Sequence, residues 1–232
     1  MIDEHIWRHG VSSTTFTAFQ AYGLPSLRCI DEGIPPSGRF DYAIQTPGSG
    51  ILMPEKNLLE LIKEKKIATL VTHDGCSAVK LYMEEHSIRS KRPDTFAVTW
   101  AEDIARKASI GHRHIPIRML DRPHNRHIAR VTYYIGTQSF SWKTIPYMPQ
   151  GFNVSRRHLS VSDAQKAARM SFEIAIGPEG FLDFIKAEQG CQYIFIAVGD
   201  KFGSFSTEVL MAELGEITAS MEEKAIVRGL SK

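Results

Sequence analysis

The sequence has no apolar run approaching the ~20 residues that a membrane-crossing helix needs. Its start, Met1-Ile-Asp-Glu-His-Ile-Trp7, lacks the cationic region and apolar core of a secretory signal. A cytoplasmic protein with no membrane partner is therefore expected. Net charge is scarce as well. A formal +2 is too little by itself to imply a nucleic-acid partner. There are only three cysteines, an odd number without a framework spacing, which in a reducing compartment points to metal ligation or free thiols rather than disulfides. No internal repeat or low-complexity segment is visible. What is present is a chain of 232 residues, 43% of them hydrophobic, enough for a sizeable core. A single domain over residues 1–232, with an N-terminal arm over 1–22, is the default expectation.

The most informative stretch is Ile67-Ala-Thr-Leu-Val-Thr-His73-Asp-Gly-Cys76. It reads as a buried strand ending in His-x-x-Cys, two metal-ligand types on one turn. Open α/β sheets place their chemistry at such strand ends. An earlier apolar run, Leu24 to Ile30, carries Cys29 and then Asp31. Cys29, His73 and Cys76, with Asp31 in reserve, are the donor types of a tetrahedral zinc set. The plainer alternative is that both cysteines are small buried residues and His73 a satisfied strand-end histidine.

Taken in order, Leu24–Ile30 and Phe40–Gln45 read as strands, separated by a Gly/Pro loop. From Pro54 an apolar face of Leu58, Leu59, Leu61 and Ile62 predicts an amphipathic helix leading into the strand at 67–72. Strand, helix, strand in this order is a crossover that forces parallel pairing. Helices are predicted from Cys76 to about His86, over Pro93–Ser109, Ser162–Ile176 and Glu208–Met221. Gly111-His-Arg-His-Ile-Pro reads as a break. His127–Ile135 reads as a strand turning toward Phe140-Ser-Trp-Lys, a hairpin inserted at about 111–150. Residues 146–159 read as loop, and Cys191–Val198 as a late buried strand beginning with a free thiol. The fold class is α/β, a mainly parallel sheet of the strands near 24–30, 40–45, 67–72 and 192–198, flanked by helices.

Cys29-x-Asp31, a strand, a Thr-Pro-Gly-Ser-Gly turn, a helix, a strand and His73-x-x-Cys76 together resemble the β-class carbonic anhydrases. The resemblance covers roughly residues 24–82. In that family a Cys-x-Asp-x-Arg motif and a later His-x-x-Cys motif supply two cysteines and a histidine to zinc. The resemblance thus implies Zn2+, hydration of carbon dioxide or a similarly small electrophile by a zinc-activated hydroxide, and a homodimer. The chain departs from the family at Gly33, where the motif has arginine, and at the Ala43-Ile-Gln45-Thr-Pro-Gly turn. In the family that arginine pairs with the aspartate and holds it off the metal. Without it, Asp31 is expected to be both the catalytic carboxylate and a fourth zinc ligand beside Cys29, His73 and Cys76, unless Arg28 or Arg39 substitutes spatially. Asp74, between two ligands, is expected to orient His73 or to cap the following helix.

Residues 112–130 hold a second cluster: His112, His114, His124 and His127 with Arg118, Arg122, Arg126 and Arg130. It reads as a solvated basic face or a subunit interface, with an anion-binding surface as the functional alternative. Nucleic acid is not the expected partner, because no stacking platform accompanies it. The non-enzyme alternative for the whole chain is a zinc-stabilised binding module that uses this segment.

Overall fold

The computed structural model describes residues 25–34, 42–89, 91–123, 126–137, 140, 148–178, 180, 192–221 and 224–231. Among them the chain is an α/β fold of two four-stranded parallel sheets flanked by five helices. The described residues up to 123 form one compact unit and those from 126 onward another. No described helix is long and apolar enough to cross a membrane.

In the first unit the strands are β1 (Ser26–Arg28), β2 (Ala43–Gln45), β3 (Thr69–His73) and β4 (Gly111–Ile115), in the order β2-β1-β3-β4. β1 lies between β2 and β3, parallel to both, with Leu27 opposite Ile44 and Leu70. These central side chains are completely buried, as in a parallel sheet covered on both faces. The helices are α1 (Glu55–Glu64), α2 (Ser77–Glu85) and α3 (Pro93–Ala108). α1 buries Leu58, Leu61 and Ile62, the stripe its spacing predicts. α3 buries Ala97, Ala101, Ile104 and Ala105 and packs on β3 and β4. Each helix ends the same way: Lys66, Ser87 and Ser109 take left-handed φ of 52°, 55° and 56°, and the next residue, always isoleucine, bonds back from its N–H to a carbonyl of the last turn. That is a Schellman closure with a hydrophobic residue following it.

In the second unit β5 (Val131–Ile135), β6 (Phe152–Val154), β7 (Tyr193–Gly199) and β8 (Ala225–Ser231) run in the order β6-β5-β7-β8, again all parallel. α4 (Val161–Ile176) and α5 (Thr207–Thr218) are the crossovers before β7 and β8. Ser160 and Ser206 cap them through side-chain bonds to the N–H groups of Asp163 and Val209. β5 and β7 are buried along their whole length.

Three strands depart from the sequence reading. β4 occupies the segment read as a break, β6 lies in a segment read as loop, and β8 was not anticipated. All three are the edge strands of their sheets: β4 is Gly-His-Arg-His-Ile with only Ile115 fully buried, and β6 has three residues. The strand at 193–199 belongs to the second sheet, not the sheet of β1–β3. The described part of 111–150 shows no hairpin: β4 closes one sheet and β5, parallel to both neighbours, centres the other. Most of the expected second arm of that hairpin, the N-terminal arm 1–22 and Cys191 lie outside the described residues.

Candidate metal centre

Strand order decides where the site lies. From β1 the chain goes to β2 on one side and β3 on the other, so the loops leaving the carboxyl ends of β1 and β3 diverge and leave a crevice between them. Cys29 follows β1 directly, His73 ends β3, and Cys76 precedes α2. These residues expose 4%, 1% and 3% of their surface. Their ligand atoms all lie within 4.8 Å of one another.

The spacing suits an ion. The Cys29 and Cys76 sulfurs stand 3.8 Å apart, far beyond a disulfide. Two sulfurs each about 2.3 Å from one ion at the tetrahedral angle stand about 3.8 Å apart. His73 completes the fit. Its Nδ1 lies 2.8 Å from the Asp74 carbonyl oxygen, which only accepts, so Nδ1 carries a hydrogen. Its Nε2 is buried and has no hydrogen-bond partner, the arrangement of a ring oriented through one nitrogen to ligate through the other.

The electrostatics favour a cation at this point. Burial alone lowers the His73 pKa, but the Asp31 carboxylate and the Cys29 sulfur outweigh it, and in the metal-free protein the ring is pushed up to about 9. Burial pushes the Cys29 thiol well up, whereas the bond it offers draws Cys76 down toward thiolate. The backbone N–H of Gly48 also points at Cys29 Sγ, at 3.2 Å. Gly48 and Ser49 sit at φ of 56° and 59°, so the Thr-Pro-Gly-Ser-Gly turn is bent to make that contact.

Asp31 has an arginine partner that is neither Arg28 nor Arg39. Arg122 grips its carboxylate with two nitrogens: Nη2 donates to Oδ2 at 2.9 Å and Nε to Oδ1 at 3.1 Å. The Gly33 N–H donates to Oδ1 at 2.7 Å. Both side chains are almost completely buried. Oδ2 stands 3.8 Å from His73 Nδ1. Arg122 follows a short 3-10 turn after β4, and the Asp121 N–H anchors its segment on the Gly33 carbonyl. Gly33 is the complement of this arginine: a Cβ there would stand 2.6 Å from Arg122 Cγ. The competitor cation therefore comes from ninety-one residues away, and the glycine that marks its absence from the motif makes room for it. Arg28 bonds Ser26 Oγ at 2.7 Å, and Arg39 lies outside the described residues.

The Arg/His-rich segment is not one basic face. Arg122 is buried against Asp31, and His112 and His114 both bond Thr72 of β3. His124 lies outside the described residues, and Arg126, His127 and Arg130 belong to the second unit. Asp74 turns its carbonyl, not its carboxylate, to His73. Comparison with protein-family models, curated proteins and solved structures finds no match to this chain.

Proposed function

We propose that the chain is a zinc-dependent lyase of the β-carbonic-anhydrase kind, hydrating carbon dioxide or a similarly small electrophile. One observation supports this above the others: Cys29, His73 and Cys76 converge at the crevice between β1 and β3, while Arg122 holds the carboxylate that would otherwise compete for a fourth position. Three protein ligands and an open position mark a catalytic zinc, four a structural one. When bound in such a site, zinc lowers the pKa of a water to about 7 and so supplies hydroxide at neutral pH.

The protein's own contributions follow from the geometry. Cys29, Cys76 and His73 Nε2 hold the ion. Gly48 N–H steadies the Cys29 sulfur, and the Asp74 carbonyl fixes the His73 ring. Asp31, its charge balanced by Arg122, keeps an accepting carboxylate beside the site without ligating. This replaces the closed Cys-Cys-His-Asp set that Gly33 suggests. The close burial of all three ligands favours a second reading, a zinc that only stabilises a binding module. A cytoplasmic location suits thiols that must stay reduced, and a homodimer is carried with the family reading.

The test is zinc content of protein purified without added metal, followed by stopped-flow carbon dioxide hydration. About one zinc per chain with hydration above the buffer rate supports the lyase. One zinc with no hydration leaves the structural role, and no zinc removes both.

A further inference from the structure

We propose that His114 is a positioning residue of the metal centre, acting through Asp74 to hold the turn that carries both His73 and Cys76. The inference rests on the metal reading of those residues, but not on any catalysed reaction.

β3 and β4 are parallel with Thr72 opposite His114 and Leu70 opposite His112. Side chains at paired positions share a face, so both histidines lie beside Thr72, on the face opposite His73. The Asp74 N–H continues the ladder by bonding the Ile115 carbonyl. That brings the Asp74 carboxylate to the end of β4. There its Oδ1 lies 2.8 Å from His114 Nε2, and its Oδ2 accepts from the Ile117 N–H at 2.9 Å.

The hydrogen-bond directions can be read off. A carboxylate accepts, so His114 Nε2 carries the hydrogen. With a neutral ring its Nδ1 then accepts from the Thr72 hydroxyl at 3.0 Å, and that hydroxyl accepts in turn from His112 Nε2 at 2.9 Å. The chain runs His112, Thr72, His114, Asp74, and ends on the residue whose carbonyl orients His73. Asp74 thus ties the turn with three groups: carbonyl to the ligand ring, one carboxylate oxygen to His114, the other to the backbone of Ile117. The same turn is held from α3, where Asp94 Oδ1 accepts from the Gly75 N–H at 2.8 Å. Gly75, at φ of 67°, joins Asp74 to Cys76, so Asp74 sets the spacing of two ligands at once.

The route makes a graded expectation. His114→Leu removes the donor to Asp74 and should weaken zinc affinity by roughly 10–100-fold, the usual effect of losing a partner behind a ligand. His114→Gln keeps an N–H at the same reach and should recover much of the loss. His112→Leu changes the same strand two hydrogen bonds farther from Asp74 and should stay within about twofold. Affinity is measured by chelator competition on folded protein, with cobalt(II) substitution as a second readout: the thiolate-to-cobalt absorption of His114→Leu should shift from that of wild type. Should His114→Leu fail to fold, Asp74→Asn, isosteric and with its carbonyl intact, takes its place. Wild-type zinc binding together with unchanged affinity and cobalt spectrum in that variant overturns this inference alone. Equal losses in His112→Leu and His114→Leu also overturn it, since they indicate general damage to β4. A wild type that binds no zinc overturns the metal reading with it.

Discussion

Arg122 removed by substitution would leave Asp31 charged and buried with its strongest partner gone, a situation that costs about 3–5 kcal/mol. Metal changes that outcome. The carboxylate is only two residues from Cys29, so once the guanidinium is gone the side chain can turn toward the ion of the proposed site. Arg122→Leu is therefore expected to unfold in less urea than wild type when metal-free, to regain much of the difference with zinc, and to lose hydration activity. X-ray absorption should show an added oxygen ligand. Gly33→Arg alone should not help, because a Cβ at 33 collides with Arg122 Cγ at 2.6 Å. The double variant Gly33→Arg/Arg122→Ala returns the cation to the motif position, and should hydrate carbon dioxide faster than either single variant.

The three helices of the first unit end on non-glycine residues in the left-handed region, Lys66, Ser87 and Ser109. Each pays a Cβ clash with backbone that glycine avoids, of order 1 kcal/mol, and each is followed by an isoleucine that locks the closure. Lys66→Gly, Ser87→Gly and Ser109→Gly are each expected to raise stability by about 0.5–1 kcal/mol. The changes should be close to additive, since the sites lie on different helices. Urea midpoints at constant slope check this. The opposite is expected at Gly48, where a Cβ would stand 2.5 Å from Ile51 Cγ2 at a positive φ. Gly48→Ala should displace the N–H on Cys29 Sγ and weaken zinc binding as well as stability.

Both sheets follow one scheme, with the first strand of each between the second and the third. Among the described residues, the Cys29, His73 and Cys76 group that could hold a metal stands at one of the two equivalent crevices. After β5 and β7 the chain has Gly136-Thr137 and Gly199-Asp200. A Cβ on Gly199 would meet the Thr207 nitrogen at 2.5 Å and one on Gly136 the Leu210 Cδ1 at 2.6 Å, so that crevice is filled by its own loop and helix. Metal should then stabilise one unit alone. On zinc removal, hydrogen exchange is expected to rise over residues 29–33 and 69–76 and to stay unchanged over 193–199. A rise in both would show that the units are coupled through the ion.

The amino-acid sequence by itself determined the parts in which local pattern and burial agree. β5 and β7 are largely apolar and buried along their length, β1 and β3 carry apolar centres at Leu27, Leu70 and Val71, and α1 and α3 carry stripes at helical spacing. The candidate ligands Cys29, His73 and Cys76 were legible because a strand end displays its residues wherever the strand lies. What only tertiary structure decided is everything that crosses between elements. The outer strands β4 and β6 carry little apolar signal of their own, the first polar and the second only three residues long, and exist because a neighbour offers its edge. The late strand entered a second sheet because pairing choice leaves no local trace. Arg122 read as one cation among several in a basic segment, and its partner Asp31 lies ninety-one residues away. Gly33 was the only mark of that pair in the sequence, and an absent side chain does not say which distant one takes its room.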